Sequence, residues 1–229
     1  MSTTYAQKDI NQPFGKFDYT RGGNPTREAL EKCLAGIEYG KYCIAFSSGC
    51  GATAAIMHTL KSGDEIVVCD DVYGGTQRYM RLYSENNYGI KNAFVDMTNL
   101  ENIEKAVTPK TKIIWLESPT NPTMKLIDIE GVIKIAKKNN IITVVDNTFA
   151  TPFLQSPILL GADIVYNSCT KYLGGHSDVV MGAIVLNDKT LHDKIFLASC
   201  SIGANPSPFD CFLMARGIKT LATRVTKST

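Results

Sequence analysis

Lys171 is the residue of this sequence with the most chemical promise. The apolar run 163–167 is followed by Ser168-Cys169-Thr170-Lys171-Tyr172, which sets the lysine among hydroxyl-bearing side chains. Partial burial at such a place lowers the pKa of an ammonium group and frees the neutral amine. A neutral amine attacks an aldehyde to give a Schiff base. Taken singly, a lysine here is more often a surface side chain whose stem lies along apolar neighbours. Asp146 ends the run IITVVD and is followed by Asn147 and Thr148. A carboxylate there needs a cationic or hydrogen-bonding partner, although capping the next turn is an equal use for it. The stretch Ser47-Ser48-Gly49-Cys50-Gly51 follows YCIAF and leads into a helical pattern. Its free backbone N–H groups could hold a phosphate. It is neither GxGxxG nor a Walker loop, and a tight turn that binds nothing reads the same way. Tyr73, in DDVYGGT, offers an aromatic face to a planar ligand or is a surface tyrosine in a turn. Asn121 sits in SPTNPT, whose two prolines fix the loop.

Jointly these features match one cofactor. A phosphate requires N–H groups and hydroxyls. A pyridinium nitrogen requires a carboxylate to stay protonated, a flat ring requires an aromatic face, and an aldehyde requires a lysine. Pyridoxal phosphate asks for all four. The order Asp146 then Lys171 across successive strand ends brings the two to opposite sides of one ring.

The elements that must position these groups are legible as alternating apolar runs and helical stretches. Strands are expected at 42–46, 65–69, 91–95, 111–117, 141–146, 163–167 and 180–186. Helices are expected at 26–39, 51–60, 76–85 and 127–138. Near-continuous β-branched runs bounded by helices indicate strands buried on both faces. The expected fold is therefore α/β, a mainly parallel seven-stranded doubly wound sheet. Such sheets bind ligands at the carboxyl ends of their strands, where every residue named above falls. Residues 1–24 are polar and rich in Gly, Pro and Asn, which predicts an extended arm with a turn. Residues 25–216 form the expected cofactor-binding domain. GIKTLATRVTKST places Ile218, Leu221 and Val225 on one helical face with no stop signal after them. Residues 217–229 are accordingly expected to begin a linker helix toward a further C-terminal domain.

Composition narrows the function. The chain has 229 residues, 44% of them hydrophobic, with 24 Lys and Arg against 22 Asp and Glu. A net charge of +2 without a basic block speaks against nucleic-acid or membrane-surface partners. Seven cysteines without CxxC spacing, and only three histidines, do not make a zinc site. Several cysteines lie in apolar runs and behave as small hydrophobes, which fits a reducing compartment. Cys169, beside the lysine, is read as one of these rather than as a nucleophile. No signal peptide and no run of about 20 apolar residues is visible, so a cytoplasmic location is expected.

DYTRGGNPTR, SSGCGATAA, DDVYGGTQR, SPTNPTMKLIDI, VVDNTFATP and SCTKYLGGHSDVVMG together resemble the pyridoxal-phosphate enzymes of Cys/Met metabolism. The resemblance runs from about Ser2 to Leu221, with the motifs in the family's order, and is strongest to the family's cystathionine gamma-lyases. It implies the aspartate-aminotransferase-like large domain (fold type I). It also implies roles. Lys171 would be the Schiff-base lysine and the proton carrier, Asp146 the partner of the ring nitrogen, and Tyr73 the stacking and proton-handling group. Gly49, Cys50, Ser168 and Thr170 would hold the phosphate. Asn121 would contact cofactor or substrate carboxylate, and Thr148 would support Asp146. Tyr19 and Arg21 would reach the phosphate of a neighbouring subunit, in a homodimer or homotetramer. The implied substrate is a sulfur-containing amino acid, and the implied reaction is gamma-elimination of L-cystathionine. A cystathionine gamma-synthase is the enzyme alternative, and a catalytically silent cofactor-binding fragment the non-enzyme one. The GGT after Tyr73 departs from the methionine gamma-lyases, which carry a cysteine there. The chain also stops before the smaller domain that ends relatives of this kind.

Overall fold

The computed structural model describes residues 1–228. Near the N-terminus, β1 (Gln7–Asp9) and β2 (Gln12–Pro13) form a two-stranded hairpin, and Thr4 bridges to Tyr19. The arm, expected to be extended with a turn, thus carries a small ladder of its own, because its turn residues bring the two short segments back together. Asn24 then starts the first long helix, Pro25–Ile37, by accepting from the Thr26 and Arg27 amides.

The seven expected strands all form: β3 (Tyr42–Phe46), β4 (Glu65–Cys69), β5 (Lys91–Val95), β6 (Thr111–Glu117), β7 (Ile142–Asp146), β8 (Ile164–Ser168) and β9 (Gly182–Leu186). They make one sheet in the order β3-β9-β8-β7-β6-β4-β5. β4, β5, β6, β7 and β8 pair in parallel, while β9 runs antiparallel to both β3 and β8. Period-two alternation divides the core between the two faces. Ile44, Phe46, Tyr166, Ile184 and Leu186 join one buried cluster. Cys43, Val165, Ala183 and Val185 join the other, under Leu30, Leu34, Cys211 and Met214. The sheet is therefore covered by helices on both sides, as the apolar runs imply.

Several element ends shift by one to three residues from expectation, and three boundaries differ for a visible physical reason. The helix expected over 76–85 begins at Gly74 and becomes π-helical over Met80–Glu85. Asn92 Nδ2 donates to the Met80 carbonyl at 3.0 Å, and a side chain drawing on a helix carbonyl disturbs the regular ladder. The segment 180–181 does not join β9, because Met181 exchanges hydrogen bonds with Thr170 instead. The domain boundary expected at 217 falls inside the helix Pro208–Ile218, which Ser207 opens with a capping box to Asp210. A second helix, Leu221–Ser228, follows and buries Leu221 and Val225.

Candidate active site

The carboxyl ends of β3, β4, β6, β7 and β8 converge on a cavity of about 260 Å³. Its walls include Gly49, Cys50, Tyr73, Asn121, Asp146, Thr148, Ser168, Thr170 and Lys171. Every site residue expected from the sequence is there except Tyr19 and Arg21. A broader cleft of about 950 Å³ shares Phe149, Thr170, Lys171 and Val180 with the cavity and opens it to the outside.

One wall is the amino end of the helix Gly49–Met57. Ser48 caps it by accepting from the Gly51 N–H at 3.0 Å. The first amides of a helix have no acceptor within the helix, so those of Gly49 and Cys50 are available to an anion. Glycine is required at 49: a Cβ there would stand 2.5 Å from the Tyr166 hydroxyl and 3.5 Å from Ser168 Cβ. Asp146 also lines the cavity, 3% exposed and in register with Glu117 on one side and Tyr166 on the other. Among the described residues, its carboxylate takes hydrogen bonds only from Thr148, including the backbone N–H at 2.9 Å. Burial holds its pKa above the ordinary carboxylate value. Thr148 Oγ1 also accepts from the Ser168 N–H at 2.8 Å, tying β7 to β8 at the cavity floor.

Tyr73 is 42% exposed and stands over the cavity from the turn after β4. Its loop is stitched to the loop after β6. Asp71 accepts from the Thr120 hydroxyl at 2.6 Å and from the Thr123 N–H at 3.0 Å. The Tyr73 N–H donates to Glu117 Oε2 at 2.9 Å.

One sequence expectation needs correction, and one site hydroxyl has a partner within the chain. Lys171 is exposed, not partly buried, because it stands where the cavity opens into the broad cleft. The Thr170 hydroxyl is not free: it donates to the Met181 carbonyl at 3.2 Å and accepts from the Met181 N–H at 3.0 Å. Thr170 and Ser168 both line the cavity. Cys169 is fully buried, and burial pushes its thiol pKa far up, which fits a packing residue. Tyr19 and Arg21 lie outside their own chain's cavity. The Arg21 guanidinium sits 5.5 Å from the Tyr19 ring centroid and donates to the Cys200 carbonyl at 2.9 Å.

Sequence reading gave no site role to Glu117, Tyr166, Phe149 or Val180, and took Ser48 only as part of the phosphate-loop stretch. Glu117 carried a usable signal, being a carboxylate at the end of an apolar run as Asp146 is. Tyr166 carried none, since a tyrosine within a buried strand reads as core.

A mainly parallel sheet whose strand ends gather an amine, a buried carboxylate, an aromatic ring and free helix amides defines an α/β enzyme site for a flat, phosphorylated aldehyde cofactor. The buried Asp146 carboxylate, which no cationic side chain among the described residues reaches, is what a protonated ring nitrogen fits. The chain belongs to the Cys/Met metabolism PLP-dependent enzyme family, whose pattern it matches over residues 1–229. It is 51% identical to the human cystathionine gamma-lyase over 228 residues, covering 99% of this chain and 56% of that protein. Among solved structures, a Lactobacillus plantarum cystathionine gamma-lyase complexed with L-serine superposes with a TM-score of 0.94 at 41% identity. It covers 97% of this chain, which covers 58% of it. The cystathionine gamma-lyase from yeast gives 0.92 at 43% identity, with coverages of 97% and 57%. The chain thus spans a little over half the length of these relatives.

Proposed function

We propose that this chain carries the cofactor-binding half of a carbon–sulfur lyase that converts L-cystathionine and water to L-cysteine, 2-oxobutanoate and ammonia. The observation that carries the reading is the shared cavity of Lys171 and Asp146, with Tyr73 above it and the Gly49–Cys50 amides at one end. Bound pyridoxal phosphate supplies an aldehyde for the amine and a cationic ring that accepts electrons from the substrate carbons.

The chain's own groups then have distinct tasks. Lys171 Nζ would hold the aldehyde carbon, and as a free amine it would move protons at the substrate's alpha and beta carbons. Asp146 keeps the ring nitrogen protonated, with Thr148 fixing the carboxylate. Tyr73 covers the ring face. The Gly49 and Cys50 amides and the Ser168 hydroxyl hold the phosphate, and Asn121 faces the substrate side. Identity of about 50% to curated cystathionine gamma-lyases supports the lyase reading over the synthase.

Tyr19 and Arg21 are proposed to serve the phosphate site of a second copy of the chain. Both are exposed and neither lines its own cavity, which supports this reading.

The test has two arms. Incubation with pyridoxal phosphate, borohydride reduction and peptide mapping should place the adduct on Lys171, and K171A should abolish it. Release of 2-oxobutanoate from L-cystathionine measures turnover. An adduct without turnover identifies a silent cofactor-binding module; an adduct surviving K171A overturns the site.

A further inference from the structure

Glu117 has no part in the chemistry above, yet it is 3% exposed and lines the cavity beside Asp146, its register partner across β6 and β7. Its Oε2 accepts the Tyr73 N–H at 2.9 Å, and the backbone of Asn121 also hydrogen-bonds the same carboxyl. Those contacts reach the two loops that carry the aromatic cover and the substrate-side amide. We propose that Glu117 is a positioning residue that works as a neutral acid, anchoring the Tyr73 and Asn121 loops over the cofactor slot. Neighbouring buried carboxyls cannot both ionise cheaply. Burial first, and then the adjacent Asp146 charge, push the Glu117 pKa well up. The proton therefore stays on Glu117 and leaves Asp146 as the single negative charge facing the ring nitrogen. Full ionisation of both would leave one charge without a cation. The Tyr73 turn has no side-chain cap of its own at Gly74–Tyr79, so the Glu117 contact is the one that fixes its first amide.

This inference rests on the cavity being a pyridoxal phosphate site, but its first measurement does not. Hydrogen exchange of the cofactor-free protein reads the Tyr73 amide directly. E117A should speed that exchange about tenfold, the effect of losing one hydrogen bond of ~1.4 kcal/mol. E117Q keeps the shape and an acceptor oxygen without a charge, and should restore wild-type protection. With pyridoxal phosphate, E117A should weaken binding and diminish the circular dichroism of the bound-cofactor band, and E117Q should match wild type in both. Unchanged Tyr73 exchange in E117A overturns the anchoring. If E117A does not fold, E117Q decides alone: loss of protection or of the dichroic band in E117Q means the negative charge is needed, which overturns the neutral-acid role. If the wild-type chain binds no cofactor, the function reading fails while the exchange experiment still judges the anchor.

Discussion

Glu117 and Asp146 end neighbouring parallel strands as register partners, so two buried carboxyls stand side by side in the wall of the cavity that Lys171 enters. Under the proposed function only Asp146 would have a ring nitrogen to serve, which makes the two carboxyls unequal.

D146N should separate the two states of the protein. Without cofactor, the substitution removes a costly buried charge, so Tm at pH 8 should rise; Asp146 has a raised folded-state pKa, and its ionised form is the penalised one. With pyridoxal phosphate, affinity should fall roughly 10- to 100-fold, as expected for a charge-assisted hydrogen bond of ~1.5–3 kcal/mol. Thermal scans with and without cofactor check both signs, and a variant stabilised equally in both states would contradict the assignment.

Y73F and Y73A should divide stacking from hydroxyl chemistry. The phenyl ring of Y73F preserves the face and should leave cofactor affinity within about twofold. Y73A should cost ~0.5–1.5 kcal/mol, about two- to tenfold in Kd. Absorbance titration measures both; equal affinities in all three proteins would mean the ring is not stacked.

G182A should disturb the helix start at Gly49, the proposed phosphate end, from a distance. A Cβ at 182 would lie 2.5 Å from the Ser48 carbonyl oxygen and 2.7 Å from Gly49 Cα, both backbone atoms that cannot swing aside. Overpacking of this kind costs ~1–3 kcal/mol and should displace the Gly49–Cys50 amides. Urea unfolding and inorganic phosphate binding should both weaken.

Glu38 predicts a pH dependence of stability away from the site. It is 1% exposed and held by Asn147 and Asn167 amides without a cation. Burial raises its pKa from 4.5 to about 7. A raised folded-state pKa means the native state holds its proton longer than the unfolded chain. Stability from this group is therefore complete below about pH 4.5 and is lost as pH climbs through about 7. At ~1.4 kcal/mol per pH unit the loss is about 3 kcal/mol. E38Q should flatten this slope between pH 5 and 8 and be the more stable protein at pH 8. An unaltered slope in E38Q would rule the assignment out.

The motif-bearing loops were legible because each follows an apolar run, and in a parallel sheet the run's end is where a ligand must sit. Lys171, Asp146, Tyr73, Gly49 and Asn121 are local signals of that kind: type and position along the chain suffice. Tyr19 and Arg21 were visible as a motif, yet they do not line their own chain's cavity, and Arg21 instead donates to Cys200 on the helix Lys189–Ile202.

By itself, then, the sequence determined seven strands, their burial on both faces and the chemistry available at their ends, because hydrophobic period and turn residues act over a few positions. Tertiary structure alone decided that β9 enters antiparallel between β3 and β8, that β7 lies between β6 and β8, and hence that Asp146 has Glu117 and Tyr166 as neighbours. It also decided that the Thr170 hydroxyl is taken by Met181 and that Lys171 stands exposed at a cleft mouth. Strand order and register join residues tens of positions apart, and no local pattern encodes which carboxyl will meet which.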